Sequence, residues 1–102
     1  MIAISQAELN EILDIIKANA PDCDVFVFGS RYKNINKDYS DLDLAFRSPE
    51  SMKLEHVRRH LLEDAFSESD LPYRVDVVDY NSISDEFRRI IDKGYEMIYK
   101  GA

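Results

Sequence analysis

A single cysteine, Cys23, is all the thiol chemistry this 102-residue sequence holds. That excludes an intramolecular disulfide and any cysteine-based zinc site. Long apolar runs are missing too: the N-terminal stretch MIAISQAELNEILDI has no basic region leading into a hydrophobic segment. Neither a signal peptide nor a membrane span is expected, and the cytoplasm is the expected compartment. Basic residues are in the minority, 13 against 20 acidic, for a formal charge of −7. Direct nucleic-acid binding through a basic surface is therefore disfavoured. The balance suits a protein that concentrates cations or docks on a basic partner. There are no internal repeats, low-complexity tracts or Gly/Ser linkers, so residues 1–102 read as one domain, and the 45% hydrophobic content suits a globular one.

What is present is a succession of short elements. Ser5-Gln6-Ala7-Glu8 has the form of a capping box opening a helix. Leu9, Ile12, Leu13 and Ile16 recur at helical spacing behind it, and Pro21 follows its end. Val25-Phe26-Val27-Phe28 is wholly apolar, as a strand covered on both faces must be, and Gly29-Ser30 breaks it. Residues 31–40 are polar and loop-like, with room for a short helix at their start. Asp41 to Phe46 alternates with period two and predicts a second strand. Ser48-Pro49 is the expected N-cap and first turn of a helix that carries Leu54, Val57, Leu61, Leu62 and Ala65 inward. Tyr73 to Asp79 predicts a third strand, with Val75 and Val77 on one face and Asp76 and Val78 on the other. Ser82 or Ser84 caps a last helix containing Ile83, Phe87, Ile90 and Ile91, and Tyr95 to Tyr99 adds an edge strand. The order α-β-(loop)-β-α-β-α-(β) belongs to the α/β (α+β) class: a small mixed β-sheet with helices packed on it.

The chemistry gathers in two places. Asp41 and Asp43 lie two apart on a predicted strand, which projects both carboxylates from one face at a Cα spacing of roughly 7 Å. Two acids so placed repel unless a cation lies between them. Mg²⁺ is the natural one, since it takes one or two carboxylates together with substrate phosphates. Two such ions roughly 4 Å apart clamp the attacking and leaving oxygens of an in-line displacement at phosphorus. A third carboxylate is then wanted, and Asp76 on the neighbouring strand is the best placed, with Asp79 its nearest rival. Gly29-Ser30 supplies the other half: a strand ending in glycine approaches a ligand without a Cβ in the way. Backbone N–H groups there, with the Ser30 hydroxyl, suit β- and γ-phosphates. Arg31, Lys33 and Lys37 lie in the same loop as candidates to neutralise phosphate charge.

Gly29-Ser30, ten residues ending at Ser40, and then Asp41-Leu42-Asp43 form a pattern that resembles the hallmark of the polymerase-beta-like nucleotidyltransferase superfamily. The chain's length and the segment Leu71-Pro72-Tyr73-Arg74-Val75-Asp76-Val77-Val78-Asp79 look like its minimal (MNT) branch, and the resemblance covers nearly the whole sequence. It implies the palm-type core. Asp41 and Asp43 would be ligands of both Mg²⁺ ions, and Asp76 a ligand of the ion that activates the acceptor hydroxyl. Gly29, Ser30, Arg31 and Ser40 would be nucleotide contacts, with ATP as donor. It further implies a helical HEPN-type protein as partner, the chain serving as antitoxin to its toxin and transferring AMP to a partner hydroxyl. Family members of this size lack the extra domain that holds the base and acceptor in larger relatives. Asn34 stands where many relatives carry glycine, and Asn tolerates left-handed backbone geometry.

Blander readings apply elsewhere. His56 and His60, four apart on a helix, read as an exposed polar face, although their spacing also suits a metal. Asp38 reads as loop solvation and Cys23 as a small, semi-buried residue. The tyrosines read as packing or partner contacts, with Tyr39, near the site, the best candidate for modification. Two rival functions remain: a binding protein that silences its partner by contact alone, and a metal-dependent phosphohydrolase, which the Gly-Ser spacing disfavours.

Overall fold

The computed structural model describes residues 2–37 and 40–101, so the expectations for Asp38 and Tyr39 lie outside the described residues. In chain order the elements are α1 (Gln6–Asn19), β1 (Asp24–Phe28), α2 (Ser30–Lys33), β2 (Leu42–Arg47), α3 (His56–Ser67), β3 (Val75–Asp79), α4 (Asp85–Asp92) and β4 (Glu96–Tyr99). The strands form one mixed sheet in the order β3-β2-β1-β4. β1 runs antiparallel to β2 and β4, whereas β2 and β3 are parallel and joined by the α3 crossover.

Local chemistry accounts for the helix starts. The capping box of α1 is present in both halves: Glu8 N–H donates to the Ser5 hydroxyl, and Ser5 N–H donates to the Glu8 carboxylate. Ser84 caps α4 by accepting from the Phe87 N–H, which decides between the two serines, and Ile83 falls just outside the helix. α1 and α3 cover one face of the sheet, burying Val25, Val27, Leu42, Leu44, Phe46, Val75 and Val77 with Ile12, Ile16, Leu62 and Phe66. α4 covers part of the other, where Ile91 packs on Phe26, Phe28 and Ala45. Both faces of β1 are therefore buried, as its unbroken apolar run requires.

Three expectations are corrected. Ser48-Pro49 opens only a three-residue 3₁₀ turn, Pro49–Ser51, because Glu50 takes a left-handed φ of 56°. The helix itself starts later, at His56. Its inward stripe is Leu62 and Phe66, while Val57 and Leu61 point outward, 70% and 53% exposed. Two apolar stripes at i, i+4 compete on this helix, and the one that packs into the core under the sheet is Leu62 and Phe66. Cys23 is fully buried, not half-buried, with its thiol against the Ser48 hydroxyl and burial raising its pKa. Asn34 does cap α2 in the left-handed conformation, at φ 58°. Among the described residues no helix is long and apolar enough to cross a membrane.

Candidate active site

Register builds the site. Phe28 pairs with Asp43 across β1–β2, and Asp43 pairs with Asp76 across β2–β3, so the three form one row on one face of the sheet. The next row, Phe26, Ala45 and Val78, lies in the cluster around Ile91 of α4. The Phe28–Asp43–Asp76 row instead borders a cleft of about 590 Å³, whose walls include Gly29, Lys33, Arg59 and Phe87. Asp41 sits one residue ahead of β2 and is exposed, not within the strand as expected.

Gly29 joins the strand end to this acid pair. It has a φ of +76°, a conformation L side chains rarely adopt. A Cβ there would run into the Asp43 carboxylate, so only glycine lets the backbone of the turn lie against that oxygen. Ser30 follows as the first residue of α2, and its carbonyl accepts from the Asn34 and Ile35 N–H groups.

The electrostatics around Asp43 are dominated by burial and by the neighbouring acids. Burial first, then the charges of Asp76 and Asp41, push the Asp43 carboxyl up from 3.8 to about 6. Arg74 lies 3.2 Å from Asp76, mostly exposed, and partly offsets that carboxylate. The donor set is hard oxygen throughout, which fits Mg²⁺. Among the described residues no three His, Cys, Asp or Glu side chains gather closely enough to hold an ion by themselves. An ion bound by one or two of these carboxylates would need further oxygens from water and phosphate, as Mg²⁺ beside nucleotides does.

The other candidates sort differently. Arg31 is buried, and its guanidinium donates to the carbonyls of Ser40 and Ala3, away from the role of a charge presented to phosphate. The Ser40 hydroxyl accepts from the Lys37 N–H within the loop. Asp79 lies on the opposite face from Asp76, 5% exposed, accepting from the Leu54 and Asn81 N–H groups and the Ser82 hydroxyl. As a rival third ligand it is therefore committed elsewhere. His56 and His60 are exposed, and His60 lies 3.8 Å from Glu63. Sequence reasoning missed Arg59, which comes from the helix on the far face. β3 is the edge strand on that side, and Arg59 reaches the cleft beside Val77 and Val78. Nothing local in the sequence marks it.

Residues 10–101 match the family model of the polymerase beta nucleotidyltransferases. A Haemophilus influenzae protein named probable protein adenylyltransferase MntA is 47% identical over 95 residues, which cover 93% of this chain and 82% of that one. Among solved structures, a toxin–antitoxin with AMP-PNP superposes with a TM-score of 0.76 at 24% identity, over 90% of this chain and 73% of that one. A Shewanella oneidensis complex of a tri-AMPylated HEPN toxin with an MNT antitoxin gives 0.70 at 25% identity, over 93% and 71% of the two chains. With the Gly-Ser turn seated on the acid pair of a mixed sheet, and with this extent of sequence identity, the chain belongs to the minimal branch of the polymerase-beta-like nucleotidyltransferases.

Proposed function

We propose that this nucleotidyltransferase moves AMP from ATP to a hydroxyl on a helical HEPN-type partner protein in the cytoplasm, with residues 1–102 acting as one domain. The observation that carries this reading is the contact of Gly29 with Asp43, which makes the phosphate-binding turn and the acid pair one cleft. The Haemophilus relative named as a protein adenylyltransferase supports the acceptor being a protein, and the AMPylated toxin in the Shewanella complex supports AMP as the group transferred.

In this reading the N–H groups of Gly29 and Ser30 hold phosphate oxygens of the donor. Lys33 and Arg59, the cations lining the cleft, neutralise the charge of the triphosphate. Asp41, Asp43 and Asp76 would hold two Mg²⁺ ions, which when bound would lower the charge on the reacting phosphate and the leaving group. The acceptor oxygen attacks the α-phosphorus, the bond to the bridging oxygen of the β-phosphate breaks, pyrophosphate leaves, and the hydroxyl proton is lost to water.

Incubation with Mg²⁺-ATP and the HEPN-type partner, followed by intact mass spectrometry of both chains, tests it. The expected result is an AMP increment on the partner, absent with the Asp41→Asn/Asp43→Asn double variant. A partner that is bound and silenced yet unmodified overturns transfer in favour of inhibition by contact. Free AMP or phosphate without an adduct overturns it in favour of hydrolysis.

A further inference from the structure

The ten-residue excursion between Ser30 and Asp41 begins at Arg31 and ends at Ser40, and one side chain ties these two ends together. Arg31 Nε and Nη2 both donate to the Ser40 carbonyl, at 3.0 and 2.9 Å. Nη1 donates to the Ala3 carbonyl at 2.9 Å, and the Ala3 N–H returns a bond to the Arg31 carbonyl at 2.9 Å. The guanidinium carbon lies over the Tyr73 ring, 3.8 Å from its centroid, and Tyr73 in turn donates its hydroxyl proton to Glu8 of α1. Arg31 is 5% exposed.

We propose that Arg31 is a positioning residue: its fork closes the neck of the loop and so fixes Asp41 and Asp43 relative to Gly29-Ser30. Two of its donors meet the carbonyl directly before Asp41, while its own backbone is the second residue of α2, directly after Ser30. A guanidinium is the group that does this, because a planar fork reaches Ser40 and Ala3 at once and stacks on an aromatic face. Lysine carries the same charge without the fork. This rests on the reading of Asp41, Asp43 and Asp76 as the metal-holding acids.

The test compares the full chain with Arg31→Lys, and with Tyr73→Leu as a second variant that keeps Arg31 but removes its platform. Two quantities are read: Mn²⁺ affinity by calorimetry, and kcat and KM for ATP in partner adenylylation. Arg31→Lys weakens Mn²⁺ binding by about tenfold to a hundredfold, as loss of a group that orients metal ligands does. It lowers kcat by a similar factor while KM for ATP stays within about threefold. Tyr73→Leu moves Mn²⁺ affinity in the same direction by a smaller factor. A fold that is merely loosened lowers the active fraction without changing the Mn²⁺ affinity of the folded molecules. Full rescue by lysine, or a raised KM at unchanged kcat, overturns the proposal in favour of a charge that meets phosphate. If wild type transfers no AMP, the proposed function fails, yet weaker Mn²⁺ binding in the variants still supports positioning and unchanged binding overturns it. A wild-type chain that binds no Mn²⁺ overturns both.

Discussion

Asp43 and Asp76 face each other across the parallel β2–β3 pair, and the Asp76 charge adds to burial in holding the Asp43 carboxyl at about 6. The folded chain thus keeps a proton on Asp43 that the unfolded chain releases near 3.8. That contribution to stability is fully present below pH 3.8 and is lost as pH rises through about 6. The stability of wild type relative to Asp43→Asn, from urea denaturation in metal-free buffer, should fall between pH 4 and 6. Above that range the asparagine variant should be the more stable. A difference that stays flat with pH, or rises, contradicts the placement of the pair. Adding Mg²⁺ at pH 8 should raise the midpoint of wild type and leave Asp43→Asn unmoved.

Gly29→Ala forces an L residue into φ +76° and drives a methyl group at the Asp43 carboxylate. The backbone strain alone costs about 1–3 kcal/mol. Thermal denaturation should show that loss, and Mn²⁺ binding should weaken with it, because Asp43 must move to make room. A variant as stable as wild type with unchanged Mn²⁺ affinity would mean the turn does not lie on the acid.

Asp79 and Asp76 are three residues apart and should behave as opposites. Asp79→Ala leaves the donors at Leu54, Asn81 and Ser82 without their acceptor, a cost of about 1–3 kcal/mol for a buried group. It should lower the denaturation midpoint and leave Mn²⁺ affinity of the folded chain alone. Asp76→Asn should do the reverse: little change in stability and a loss of Mn²⁺ binding. Exchange of these two phenotypes would return the third-ligand role to Asp79.

Arg59 lines the cleft from α3 and pairs only loosely with Glu63, at 4.0 Å. Arg59→Ala should raise KM for ATP by about threefold to tenfold, the range for one partly exposed charge-assisted contact, with kcat little changed. Steady-state kinetics over a range of ATP concentrations decides it. An unchanged KM removes Arg59 from the phosphate-binding set.

The strands, the Ser5 cap and the pairing of a glycine turn with Asp-x-Asp were legible because each is local: a period, a cap or a spacing, whereas the choice of Ser84 over Ser82 came only from the structure. The burial phase of α3 was not, since Val57/Leu61 and Leu62/Phe66 are equally good stripes until the sheet chooses one. Nor was the fate of Arg31. A basic residue in a polar loop looks solvated, and only the tertiary meeting of Ala3, Ser40 and Tyr73 shows it to be an internal brace. Arg59 was hidden for the same reason, because it reaches the cleft from a helix on the far side. Asp41 illustrates the limit of a periodic pattern, which gives alternation but not the residue at which pairing begins.

The parallel pairing of β2 and β3 has a kinetic consequence. Parallel neighbours cannot be joined by a hairpin, so Asp43 and Asp76 meet only after α3 has crossed the sheet and docked, a contact of high sequence separation. A chain in which only the β1–β2 pairing has formed carries Asp43 but not its partner. Divalent-cation affinity should therefore appear late in refolding, together with the final compaction, and a chain arrested before the crossover should lack a competent acid pair.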